Sequence, residues 1–298
     1  MTQPTPNARK TSSSPFRKSM RAFLRHRSGM IGLAIVGGFV ILALLSHWVA
    51  PMDPYIQDPD KKFLPPGWME GANPMHWLGT DLLGRDLLSR LINGSRISLV
   101  IGIISVTVGA VIGVPLGMVS GFWGGMYDTL IMRLIDVMLA FPSTLLAICI
   151  VAILEPSLAN AMIAIGLVSV PQYARIVRAS VLSEKEKEYV LAEYSIGQRQ
   201  LLILFKAILP NILGPILIMA SLGFASAVLE GAALSFIGLG AEPPMPEWGA
   251  LLFEGKQNYY QAWWLVAFPG IAILFTVMGF NLLGDGLRDS FDPKSQSR

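Results

Sequence analysis

Long apolar runs, separated by short charged or proline-rich stretches, dominate the chain, and six of them reach the length of a membrane span. A hydrocarbon core of about 30 Å takes about 20 mostly apolar helical residues. The runs lie near Gly29–Ala50, Ile97–Ser120, Asp128–Leu154, Leu158–Val177, Leu209–Ala232 and Ala262–Leu283. The pattern predicts an all-α polytopic membrane protein with six transmembrane helices. The first run is too long for a signal-peptide core, and Ser46-His47-Trp48-Val49-Ala50-Pro51 lacks a small-residue cleavage pattern. Residues 29–50 are therefore expected to be a retained anchor.

The stretches between the runs carry their own signals. Residues 1–28 are rich in Pro, Ser, Thr and Arg without apolar periodicity and read as a basic arm against the inner leaflet. Residues 51–95 form a long excursion whose prolines predict irregular structure up to Pro74. After it, Thr80 or Asp81 is expected to cap a short interfacial helix with Leu82, Leu83, Leu87, Leu88 and Leu91 on its apolar side and an Asp86–Arg90 pair. The prolines of GLGAEPPMPEWG, Gly238 to Gly249, exclude a regular helix before the last run. Trp248, Tyr259, Tyr260, Trp263 and Trp264 suit a membrane interface.

Composition agrees with a bilayer as solvent: 53 % of residues are hydrophobic and 14 % charged, where soluble domains carry about a quarter charged. Lys and Arg set the orientation, because cytoplasmic flanks carry the excess. Arg9, Lys10, Arg17, Lys18, Arg21, Arg25 and Arg27 precede the first run, which places that end in the cytoplasm. Six spans then put the C-terminal tail, 286–298, on the same side. The loop after the fourth run holds Arg178, Lys185, Lys187, Arg199 and Lys206, whereas the loop before the sixth holds only Lys256. These charges are spread over membrane flanks with no groove-reading module, so nucleic acid is not an expected partner. The single cysteine, Cys149, lies inside the third run and reads as packing.

The cytoplasmic loop 179–209 contains EYVLAEYSIGQRQLLILFKAILP, Glu188 to Pro210. Ser183 and Glu186 have the spacing of a capping box, which predicts a helix start there. Gly197 is a natural stop, and a second helix is expected from Gln198 to about Leu209, leading into Pro210 and the fifth span. A small face at Ala192, flanked by Tyr189 and Tyr194 and by Glu193, suits insertion into a groove on a soluble partner.

This segment resembles the coupling loop of ATP-binding-cassette importer permeases: Gly197, Leu209 and Pro210 hold the family's mutual spacing and Ala192 matches its first alanine. Leu191, Glu193 and Ala207 depart from the pattern. LGTDLLGRDLLSRL (Leu78 to Leu91), ALSFIGLGAEPPMPEWG (Ala233 to Gly249) and FNLLGDGLRDSFDPK (Phe280 to Lys294) are similar to the second permease subunit of the dipeptide, oligopeptide and nickel import family. The resemblance covers nearly the whole chain from about Phe16. It implies a type I importer permease whose core of five helices spans 96–285. It also implies a second homologous permease, two cytoplasmic ATP-binding subunits, an external or periplasmic solute-binding protein and a lipid environment in a bacterial cytoplasmic membrane. By this resemblance Tyr189, Ala192, Glu193, Tyr194, Gly197 and Pro210 couple to an ATPase, and the cargo is a dipeptide, with longer peptides or nickel chelates as alternatives.

Intrinsic chemistry is not expected. No phosphate-binding G-x-x-x-x-G-K-[ST] loop and no G-x-S-x-G elbow occur, and His26, His47 and His76 are scattered, so no cofactor and no metal is predicted. A self-contained secondary transporter would tend to show two similar halves, which this chain lacks. Glu230, near the outer end of the fifth run, either lines the passage and receives a peptide ammonium or is a structural acid. Arg133 and Asp136 are expected to pair along one helix, and Asp285 to cap the inner end of the last span.

Overall fold

A computed structural model describes residues 23–24 and 26–291; the arm residues Arg9, Lys10, Arg17, Lys18, Arg21 and Arg25, and residues 292–298, lie outside the described part. The helices are α1 (Arg27–Leu44), α2 (Leu87–Trp123), α3 (Gly125–Leu139), α4 (Ser143–Leu154), α5 (Leu158–Lys185), α6 (Glu188–Ser195), α7 (Leu209–Phe236), α8 (Trp248–Gly255) and α9 (Trp264–Phe291), with short helical turns between some of them. Among the described residues five stretches are long and apolar enough to cross a membrane: α1, α2, α5, α9 and the continuous helix Gln200–Phe236. The sixth candidate is the pair α3 and α4, bent by 93°.

That bend corrects the expectation of one straight third span. Pro142 has no N–H and disfavours helical geometry at Phe141, so α3 stops at Leu139 and α4 restarts at Ser143. Cys149, on α4, is exposed on this chain rather than packed in its interior. The fifth span shows the opposite behaviour. No separate second helix ends before Pro210. Instead a π-helical turn over Ile203–Ile208, in which the Leu209 N–H reaches back to the Leu204 carbonyl, carries the helix through Pro210 into α7.

The packing centre of the bundle is the contact between α2 and α5. A Cβ on Gly113 would sit 2.5 Å from the Tyr173 Cβ, and one on Gly117 would sit 2.5 Å from the Ala174 carbonyl oxygen. Only glycine permits backbones this close, and in lipid such close packing is a main source of helix association. Ile101, Ala164, Ile165 and Ala227 fill the middle of the bundle. Phe122, Val177, Val181, Val190, Ile203 and Ile208 fill its inner end. Leu87, Trp248, Leu251, Trp264 and Leu265 fill the outer end.

The outer cap differs most from expectation. No amphipathic helix starts at Thr80 or Asp81; the helix begins at Leu87, with the Asp86 side chain accepting from the Ser89 N–H, and runs unbroken to Trp123. Residues 78–86 instead form a tight loop that pairs with the preceding segment: the Phe63 N–H donates to Asp81 O at 3.2 Å and the Thr80 N–H to Leu64 O at 3.0 Å. Gly84, at φ +75°, lies so close to Asp58 that a Cβ would overlap the Asp58 carbonyl. The expected non-helical stretch before α8 is present between Phe236 and Trp248. Trp248 and Trp264 are buried rather than interfacial, their indole N–H groups donating to Leu91 O at 3.1 Å and Thr80 O at 3.2 Å. Tyr259, Tyr260 and Trp263 are exposed.

Candidate functional site

At the inner end, α5 does not stop at Ser183. It continues to Lys185, so the Ser183–Glu186 capping box does not form, and α6 starts after Lys187 without a side-chain cap. Glu184 takes a different role: its carboxylate accepts from the Tyr189 hydroxyl and pairs with Lys187 at 2.7 Å. Asn211 donates to the same hydroxyl at 3.1 Å. Burial first, and then the Glu184 carboxylate, push the Tyr189 hydroxyl well above its ordinary pKa, so it stays a protonated donor throughout the physiological range.

Gly197 ends α6 as the sequence predicts, at φ +75°. Its N–H donates to Tyr194 O at 3.0 Å, and the Gln198 N–H reaches Glu193 O at 3.1 Å. That pair of bonds is a Schellman motif, which satisfies the last carbonyls of the helix and reverses the chain. A Cβ at Gly197 would meet nothing within 4 Å. The glycine is required by backbone conformation alone.

One residue of α6 anchors it. Val190 is fully buried against the inner core, while Leu191, Ala192, Tyr194 and Ile196 are exposed. Ile196 is 77 % exposed, and Leu201 and Phe205, beyond the turn, are also exposed. Tyr194 stacks on Phe122 at 6.4 Å between ring centroids, and the Trp123 indole donates to Gln200 at 3.2 Å. Tyr189 and Tyr194 thus brace the loop on the bundle rather than flank Ala192 freely. Glu193 is half-buried and Pro210 exposed. The loop thus presents Leu191, Ala192, Ile196, Leu201 and Phe205 as exposed apolar side chains.

Glu230, on α7, lines a cavity of about 30 Å³ at the middle of the bundle together with Ser105 of α2, Ser143 of α4 and Ser169, Gln172 and Tyr173 of α5. Glu230 has no hydrogen-bond or ion-pair partner among the described residues. The cavity lies beside Ser143 and Ser226, which are exposed on this chain.

Two further expectations are corrected. Asp136 pairs with Arg175 of α5 at 2.6 Å instead of with Arg133, and Arg178 holds Asp128 with two bonds of 2.6 and 2.7 Å. Asp285 caps nothing: α9 continues past it to Phe291, and its side chain is exposed.

The outer cap holds a charged cluster that local spacing did not indicate. Asp81 accepts from Arg85 Nε at 2.6 Å and from Arg90 Nη1; both guanidinium groups also reach Glu254 of α8 at 2.7 Å. Asp86 does not meet Arg90. It accepts from Ser89 and contacts His76 Nδ1 at 3.0 Å. The side chains of Arg85, Arg90 and Asp81 are at most 3 % exposed. The signal available in the sequence was the density of charges in GTDLLGRD, but their partner Glu254 lies 164 residues from Arg90. Among the described residues no group of His, Cys, Asp and Glu could hold a metal ion.

Comparison with known proteins agrees with this architecture. The family model of the binding-protein-dependent transport system inner membrane component matches residues 113–297, and that of the N-terminal TM domain of oligopeptide transport permease C matches residues 14–66. The chain is 47 % identical to a di/tripeptide transport system permease protein of Pseudomonas aeruginosa, over 94 % of this chain and 93 % of that protein. It is 46 % identical to a dipeptide transport system permease protein of Haemophilus influenzae, over 94 % and 95 %. A glutathione transport system permease protein of Pectobacterium atrosepticum is 42 % identical over 97 % and 94 %. An inward-facing methionine ATP-binding-cassette transporter has the same fold, with a TM-score of 0.56 at 19 % identity over 67 % of this chain and 96 % of that one. The expected resemblance holds for sequence and fold alike: the chain belongs to the family of binding-protein-dependent transport system inner membrane components, as a permease subunit.

Proposed function

We propose that this permease imports peptides, dipeptides first, across the inner membrane as one half of a passage completed by a second homologous permease. Cytoplasmic ATPases drive it and an external binding protein loads it. The observation that carries the coupling part is the braced α6 loop, with Val190 buried and apolar side chains around Ala192 exposed ahead of the Gly197 turn. An exposed apolar patch on a rigid support is what a groove on a soluble partner takes up. Tyr189 and Tyr194 fix its angle, Glu193 closes its helix end, and Pro210 lies on the helix that would transmit the motion. The dipeptide assignment rests on relatives described as dipeptide or di/tripeptide permeases at 43 to 47 % identity; glutathione, named for others at 42 % and 40 % identity, is the second reading.

Glu230 is the proposed passage residue. A carboxylate at membrane depth with no partner is costly unless it faces water or awaits a cation, and it lines the central cavity. The test is uptake by the assembled complex of labelled dipeptide, longer peptide, glutathione and nickel chelate, each presented by the cognate binding protein. Dipeptide uptake by the unaltered complex is expected, and Glu230→Gln should weaken transport of cargo with a free amino terminus while membrane level and assembly persist. Unchanged uptake in Glu230→Gln at normal membrane levels would leave only a structural role. Uptake of a nickel chelate alone would overturn the peptide assignment.

A further inference from the structure

The central cavity contains a group that neither the family comparison nor the sequence singles out. Tyr173 is 1 % exposed, and its hydroxyl has no hydrogen-bond partner in the structure. A hydroxyl buried without a partner is costly, so its position calls for an occupant. The hydroxyl lies against Gly223: a Cβ on that glycine would be 3.2 Å from it. Glycine there allows this close approach, and both residues line the cavity that Glu230 also lines.

The other hydroxyls of the lining define what the cavity can take. Ser105 Oγ donates to Met162 O at 3.0 Å and Ser169 Oγ to Gly166 O at 2.7 Å. Their protons are committed to backbone carbonyls, so toward the cavity they present lone pairs. Glu230 adds a carboxylate, and no Lys, Arg or His lines the space. The Gln172 amide and the Ser143 hydroxyl in the same lining can also donate, so charge decides: one carboxylate with no cation in the lining favours a positively charged donor. An ammonium, with three N–H bonds and a positive charge, is such a group; a carboxylate or an amide carbonyl is not. The enclosed part of the space has room for a small group such as an ammonium, and the lining continues to the exposed Ser143 and Ser226.

We propose that Tyr173 is a specificity-determining cargo contact: its hydroxyl accepts a hydrogen bond from the cargo ammonium whose charge Glu230 balances. The proposal rests on the reading of Glu230 as a passage residue and adds the second group and the chemistry of the subsite. It confines recognition by this chain to the amino end of the cargo, with the remainder lying in the wider space beside Ser143 and Ser226.

The experiment is a double-mutant cycle in the reconstituted complex, with both permeases, the ATPases and the binding protein, reading initial uptake of labelled dipeptide. Tyr173→Phe keeps the ring and its packing and removes only the hydroxyl. About a tenfold loss of uptake is expected, the size of one hydrogen bond to a charged group. Because both side chains meet one ammonium, Tyr173→Phe combined with Glu230→Gln should lose little more than Glu230→Gln alone. Full uptake by Tyr173→Phe while Glu230→Gln is impaired overturns the role of Tyr173 and leaves that of Glu230. Losses that multiply in the double variant overturn the shared ammonium. Wild-type uptake by Glu230→Gln overturns the passage reading itself. If Tyr173→Phe does not copurify with its partners, Gly223→Ala carries the test with the same expectation, since it keeps both polar groups and fills the space beside the hydroxyl.

Discussion

Asp81→Ala is expected to lower the stability of the outer cap by about 3 to 5 kcal/mol, the cost of leaving buried charge uncompensated. The carboxylate serves two guanidinium groups and, in addition, accepts from the backbone N–H groups of Leu83 at 2.8 Å and Arg85 at 3.0 Å. With Asp81 present, the cluster has two cations and two anions, Arg85 and Arg90 against Asp81 and Glu254. Without it, Glu254 alone faces both guanidinium groups, and Arg90 Nε is already unpaired. Water cannot relieve the imbalance, because the arginines are buried under the loop. Asp81→Asn, which keeps an acceptor for the backbone donors and removes the charge, should fall between wild type and alanine. Thermal unfolding of the detergent-solubilised protein, read beside its level in the membrane, checks this. Equal stability of Asp81→Ala and wild type would show that the cluster is hydrated and contributes little. The consequence for transport follows from position: the cluster ties the start of α2 to α8, so the outer mouth should loosen before the central bundle does.

Ala192→Arg should abolish coupling to the ATPases while leaving the permease inserted and paired with its partner. The side chain is exposed, so arginine disturbs no contact within this chain; it places a long cation on the patch proposed to enter the groove. Gly197→Val should act on the same function more weakly and through the backbone. At φ +75° a β-branched residue is strained by roughly 1 to 2 kcal/mol, and the open space around the position means that strain, not a clash, is the whole effect. Relief of that strain would unwind the Schellman turn and tilt α6, drawing Val190 out of the inner core. Retention of the ATPase subunits on gentle purification, and ATP hydrolysis stimulated by loaded binding protein, are the measurements. If both variants keep both properties at wild-type level, the loop is a solvated connector and the coupling surface lies elsewhere.

The sequence alone determined what the membrane demands of any chain. Apolar runs of span length, the side on which Lys and Arg gather and the glycine stop at Gly197 are local properties, set by bilayer thickness, interfacial charge and backbone sterics, and each can be read without knowing what packs where. Even there, neighbouring elements changed details: Pro142 broke a run that looked continuous, and α5 overran the Ser183–Glu186 capping box because the packed helix gained more by continuing than by restarting. What only the tertiary structure decided was the choice of partners. Asp86 and Arg90 stand four apart, yet with Leu87 as the first helical residue Asp86 turns to cap the helix and Arg90 goes to Asp81 and Glu254. Trp248 and Trp264 have the character of interfacial residues but lie inside, because Leu91 near the start of α2 and Thr80 in the loop before it offer carbonyls to their N–H groups. Tyr173 shows the same limit: along the helix it is one more amphipathic residue, and only the meeting of α2, α5 and α7 leaves its hydroxyl unpartnered in a residue that lines the same cavity as Glu230. A charge or hydroxyl in the sequence announces that a partner is needed; which group supplies it is a property of helices brought together from distant parts of the chain.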